Sequence, residues 1–147
     1  MRRIWSVVIA CGALVGAVAG ASPAESEAGA AVTPIESARW APVFPDHPEG
    51  PAISVAWGNV KKGPVGLLLK FPAGFATPNH VHSSDYRAVV VSGEFSHQAG
   101  SDAAVALAPG STWSQRAKLP HLNKCSDAGA CVVYVTAAKG FDFTAVK

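Results

Sequence analysis

The feature that most constrains this chain is the absence, after Ser37, of any stretch with apolar residues at i, i+3, i+4 and i+7 uninterrupted by glycine or proline. Long amphipathic helices are thereby excluded. The chain offers instead short β-rich runs separated by turn signals. Residues 52–57 are ended by Gly58-Asn59 and Lys61-Lys62-Gly63-Pro64, and residues 65–71 by Pro72-Ala73-Gly74. Residues 86–91 run into Ser92-Gly93, residues 94–97 into Ala99-Gly100-Ser101-Asp102, residues 103–107 into Pro109-Gly110, and residues 131–136 stop before Gly140. Strands of this length at such regular spacing predict an all-β sandwich or barrel. No internal repeat is visible.

The 147 residues have room for one domain with a core of its own. Residues 1–21 are expected to be a signal peptide. Met1-Arg2-Arg3 is a basic head, residues 4–19 are apolar except for Ser6, and Ala17-Val18-Ala19 or Ala19-Gly20-Ala21 fits the small-x-small rule for cleavage. A retained anchor is disfavoured because the run is short and rich in Ala and Gly. Val8-Ile9-Ala10-Cys11 resembles a bacterial lipobox, but Cys11 lies in the middle of the apolar run, which argues against lipidation. Residues 22–37 are rich in Ala, Glu, Ser and Pro without apolar periodicity, and read as a flexible lead-in to a domain at 38–147.

Cleavage removes Arg2 and Arg3, so twelve basic residues become ten (12 − 2) against ten acidic ones. A near-neutral chain without a basic stripe gives no support to nucleic-acid binding, and none to stable membrane insertion once the signal is gone. The expected location is secreted or periplasmic. Cys125 and Cys131 then remain as a pair in an oxidising compartment, to be read as a disulfide across a hairpin or as two buried thiols.

Of the five histidines, three stand at informative places. In a strand, residues two apart share a face, so His80-Val81-His82 presents two imidazoles together. Two imidazoles on one face can begin a metal site, or can be solvated groups on a polar edge strand. His97, past a turn glycine, reads as a surface residue, and His47, within Pro45-Asp46-His47-Pro48, as a loop residue; neither is given a site role.

The surroundings of the pair resemble the first motif of the cupin superfamily, G-x5-H-x-H-x3–4-E-x6-G: Gly74 precedes His80 by six residues and Gly93 follows His82 by eleven. The second motif, G-x5-P-x-G-x2-H-x3-N, is matched in part, with Gly110 at the required distance from His121. The resemblance extends over roughly residues 40–147, including Pro109-Gly110-Ser111, Pro120-His121 and Gly140-Phe141-Asp142-Phe143, and is to small secreted cupins of unassigned function. It implies a single-domain jelly-roll β-barrel holding one divalent ion on His80, His82 and His121, with Zn, Fe, Mn, Ni and Cu all open. The chain departs from the pattern at four places. Tyr86 stands where the family glutamate falls, with Asp85 beside it; Arg116, Ala117 and Lys118 replace P-x-G; Cys125 replaces the asparagine. Tyr86 and Asp85 are therefore the candidates for a fourth ligand or a proton-handling group. Gln115 and Trp113 are candidates to line the cavity, Trp113 also reading as core or rim packing.

Function is expected to be metal-dependent binding of, or action on, a small molecule in the cavity. The alternative is a non-catalytic, metal-free or metal-bound, ligand-binding or sensor module of the cell envelope. Whether the protein is an enzyme, and whether it forms a homodimer, stay open, because the fold hosts both chemistries and plain binding.

Overall fold

The strand Cys131-Val-Val-Tyr-Val-Thr-Ala shows how the domain is built: its burial alternates without a break, with Cys131, Val133, Val135 and Ala137 inside. Such alternation fits a sheet with one face on the core. The computed structural model describes residues 29–146. The chain divides into two units, Met1–Ser37 and Ala38–Lys147. The expected signal peptide, with Cys11, and residues 22–28 of the lead-in lie outside the described residues. Of the first unit the structure describes a 3-10 turn at Ile35–Ser37, where the Ser37 amide and hydroxyl both donate to the Pro34 carbonyl.

The second unit contains β1 (Ala41–Pro42), β2 (Ala52–Gly58), β3 (Val65–Phe71), β4 (His80–Val81), β5 (Tyr86–Ser92), β6 (Phe95–Ala99), β7 (Val105–Leu107), β8 (Thr112–Gln115), β9 (His121–Cys125), β10 (Cys131–Ala137) and β11 (Thr144–Ala145). They form a six-stranded sheet in the order β1-β2-β3-β10-β5-β8 and a five-stranded sheet in the order β11-β4-β9-β6-β7, every pairing antiparallel. Consecutive strands repeatedly change sheet, as in a jelly roll. The core is Val65, Leu67 and Phe71 of β3, Ala88 and Val90 of β5, Phe95 of β6, and the inward residues of β10.

Two local devices fix how the sheets meet. Cys125 and Cys131 are joined by a disulfide, with Cα atoms 5.8 Å apart. The expected hairpin is corrected, however: Cys125 ends β9, paired with Phe95, while Cys131 begins β10, paired with Phe71 in the other sheet. The bond therefore staples the two sheets to each other. Gly93, which turns the chain from β5 to β6, has φ 81°, and a Cβ there would stand 2.7 Å from the Ala130 carbonyl oxygen and 2.9 Å from Cys131 Sγ. Only glycine combines that backbone conformation with so close an approach.

Candidate metal centre

The short strand β4 carries the first ligand into the barrel. His80 pairs in register with His121 of β9, and His82 follows just past the end of β4. All three rings are buried, with His80 2 %, His82 4 % and His121 1 % exposed. Their ring centroids lie 4.1 Å apart for His80 and His121, 5.1 Å for His82 and His121, and 5.0 Å for His80 and His82. One nitrogen from each ring lies within 4.8 Å of the other two.

Backbone carbonyls decide which nitrogen is offered. His80 Nδ1 donates to Pro78 O at 2.9 Å, His121 Nδ1 to Leu119 O at 3.1 Å, and His82 Nδ1 to the Asp142 carbonyl. A carbonyl only accepts, so each Nδ1 carries the proton and each Nε2 keeps its lone pair. A second partner that fixes the tautomer and the ring plane is the usual support of a metal-bound histidine. Burial pushes all three imidazoles down to about 4, against the opposing pull of those carbonyls, so the rings are neutral at neutral pH. Three neutral imidazoles at this spacing can coordinate one divalent metal ion, and small ring movements bring the nitrogens to the ~2.1 Å that zinc takes.

Aromatic residues from the end of the chain cover the site. Phe143 stacks on His80 with centroids 4.5 Å apart, and Phe141 stacks on His82 at 4.3 Å. The segment is held in place by Gly140 N donating to Gly63 O and Phe141 N to Val60 O, both at 2.8 Å, and by β11 pairing with β4. Gly140 has φ 87°, and a Cβ there would meet the Val60 carbonyl oxygen at 2.8 Å. Beside the histidines opens a cavity of about 620 Å³, walled by His80, His82, Tyr86, Trp113 and apolar residues such as Ile53, Leu69, Val135 and Phe143.

The remaining candidates separate clearly. Tyr86 is brought in: it is 4 % exposed, and its phenol lies 3.2 Å from His121 Nε2 and accepts from Trp113 Nε1 at 3.4 Å. Burial raises its pKa, so the phenol stays protonated. Asp85 is not brought in, which corrects its candidacy. With Tyr86 inward, strand parity sends its neighbour outward, and the Asp85 carboxylate accepts from Ala117 N at 2.7 Å. Gln115, 3 % exposed, lies behind the histidines and not on the cavity wall: its Nε2 donates to Leu119 O at 2.9 Å, the carbonyl that also holds His121. Trp113 stacks on Phe95 at 5.8 Å and on His97 at 5.3 Å.

His97 corrects the surface assignment. It lies inside, 5.4 Å from the His121 ring, with Nδ1 2.8 Å from Asn123 Oδ1 and Nε2 3.0 Å from Gln115 Oε1. The signal was there in parity: buried Phe95 places His97, two residues on, on the same inner face. His47 lies at the surface against Glu49.

A family model described as "Domain of unknown function (DUF4437)" matches residues 26–144. The chain belongs to this family. Among solved structures the fold is similar to the DMSP lyase DddQ from Ruegeria pomeroyi DSS-3, with TM-score 0.59 at 18% identity over 70% of this chain and 57% of that one. The chain thus spans little more than half of that lyase. KdgF from Halomonas sp. gives TM-score 0.58 at 18% identity, over 71% of this chain and 91% of that one. An RmlC-like cupin from Shewanella frigidimarina NCIMB 400 gives 0.59 at 16% identity, over 72% and 87%. These identities show the jelly-roll fold alone. No protein of curated function matches the chain. Among the described residues, no helix is long and apolar enough to cross a membrane.

Proposed function

We propose that this cupin is an exported protein that takes a small organic molecule into its barrel and holds it against one divalent ion on His80, His82 and His121. One observation carries the reading: three buried imidazoles have Nδ1 committed to backbone carbonyls, and one nitrogen of each ring lies within 4.8 Å of the other two, beside a cavity of about 620 Å³. Cavities of this size suit small ligands. A bound ion supplies positive charge that polarises a ligand oxygen. The chain's own contribution is to exclude water with Phe141 and Phe143 and to present one protonated phenol, Tyr86, beside His121.

Binding without turnover is the second reading, supported by the carboxylates. Asp85 is committed to Ala117 N and the Asp142 carboxylate to Ser83 N at 2.7 Å, so neither is poised as a base beside the histidines. Export is supported by the basic head and apolar run of residues 1–21, and by the disulfide, which persists in oxidising compartments. N-terminal sequencing of secreted protein should begin near Gly20 or Ser22; an intact Met1 contradicts export, and an acylated Cys11 contradicts cleavage at that point.

Cobalt(II) loading tests the open metal position. The loaded protein should show visible d–d absorption at one ion per chain, and azide should change the bands. Bands that ignore azide at any concentration would mean that no coordination position is left for a ligand.

A further inference from the structure

The outer face of the six-stranded sheet carries a feature that the metal centre leaves unused. Gly66 of β3 stands in register with Trp57 of β2 on one side and Thr136 of β10 on the other. A Cβ at Gly66 would lie 2.1 Å from Trp57 Nε1 and 2.4 Å from the Tyr134 hydroxyl. Glycine inside a strand weakens it and often marks such a close approach. Trp57 Nε1 donates to Tyr134 Oη at 2.8 Å over that gap, so the indole is pinned by its edge. It is nevertheless 48 % exposed. An aromatic ring already fixed on the surface has little freedom left to lose when an apolar face is laid on it.

Beside the indole the same face is polar. Register continues the row from Thr136 to Arg87 of β5 and Ser114 of β8. Two adjoining grooves, of about 560 and 540 Å³, share these three residues, and the second also reaches Trp57 and Arg116. Arg87 and Arg116 are exposed, and neither has an ion-pair partner among the described residues. Asp85 lines the second groove as well, with one carboxylate oxygen accepting from Ala117 N. Two cations against one anion leave the groove weakly positive. That balance suits separate carboxylates, which a guanidinium meets with two parallel hydrogen bonds, and not the dense phosphates of a nucleic acid. An extended peptide would need an open strand edge, whereas this groove crosses strands that are already paired. Strands lie about 4.8 Å apart, so the Arg87 backbone, two strands beyond Gly66, is about 10 Å from the indole edge. A single sugar ring does not span that.

We propose that this outer face is a second binding site, which takes an acidic oligosaccharide. One sugar ring stacks on Trp57, and uronate carboxylates further along the chain pair with Arg87 and Arg116. The hydroxyls of Thr136 and Ser114, on either side of Arg87, bond the sugar hydroxyls between them.

Cellotetraose and its C6-oxidised form, in which the sugars carry carboxylates, share one backbone and differ in charge. NMR titration of the whole protein, followed at the Trp57 indole N–H, reads both. The oxidised tetramer should bind about tenfold more tightly, and added salt should erase the difference, because both arginines are exposed. Replacing Arg87 and Arg116 together by Gln should abolish the preference and leave cellotetraose unchanged. Trp57→Ala should weaken both sugars alike. That variant also uncovers Gly66, so its denaturation midpoint is measured beside it, and the arginine variant carries the test if it unfolds. Equal affinity for the two sugars, or a preference that survives the loss of both arginines, overturns the proposal. So does binding of neither sugar, or shifts confined to the cavity histidines. A single-stranded oligonucleotide that binds more tightly than the oxidised tetramer would overturn it in favour of nucleic acid.

Discussion

Lys118 occupies the position where the second cupin motif carries glycine, and its φ of 60° is the left-handed conformation that glycine favours. The motif's glycine is lost here while its backbone shape is kept, because Lys118 N donates to His82 O at 2.9 Å and Ala117 N to Asp85. Left-handed backbone costs a lysine on the order of 1 kcal/mol more than a glycine. Lys118→Gly should therefore raise stability by about 1 kcal/mol, read as a higher denaturation midpoint at unchanged m-value; a lower midpoint would mean that the turn is not strained. At this scale His80, His82 and His121 were legible because the cupin motifs fix their spacing and strand parity puts the first two on one face. The carbonyls that orient them were not, since Pro78, Leu119 and Asp142 contribute backbone atoms that any residue supplies. The inward position of His97 is carried by its parity with Phe95 and is masked in the sequence by the nearby Gly93 turn.

The long strands β2, β3, β5 and β10 were legible in their apolar, β-branched content. Strand β9 was not, because its inward positions are His121, Asn123 and Cys125, so the residues that build the site remove the apolar alternation that marks a strand. Strands β1, β4 and β11 have two residues each, too few for any pattern, and exist through pairing alone. The disulfide between β9 and β10 was legible as a pair but not as a bridge between sheets. Replacing both cysteines by serine should cost about 2 kcal/mol for a loop this short, measured by denaturant unfolding; an unchanged midpoint would show that packing alone holds the sheets. The covering segment is the other element with a measurable role. Phe141→Ala removes the ring that stacks on His82, and should weaken metal retention about tenfold, the usual scale for a residue that orients a ligand. Wild-type affinity in that variant would make the aromatic cover dispensable.

For the whole molecule, the fold couples stability to the protonation of its centre. The three histidines are held down to about 4 by burial, against about 6.5 when unfolded. Between those values the unfolded chain takes up protons that the folded chain refuses, so their contribution is complete above about pH 6.5 and is lost as pH falls toward 4. Metal-free protein should accordingly lose stability over that interval, and a flat profile would mean the rings are solvated. A bound ion should leave over the same range, since a protonated imidazole cannot ligate. The most direct measurement is elemental analysis of the wild type, His82→Ala, His121→Ala and Tyr86→Phe after dialysis against a weak chelator. The account predicts about one divalent ion per chain in the wild type and in Tyr86→Phe, and none retained by either alanine variant. Equal metal content in all four proteins, or none in the wild type, would contradict it.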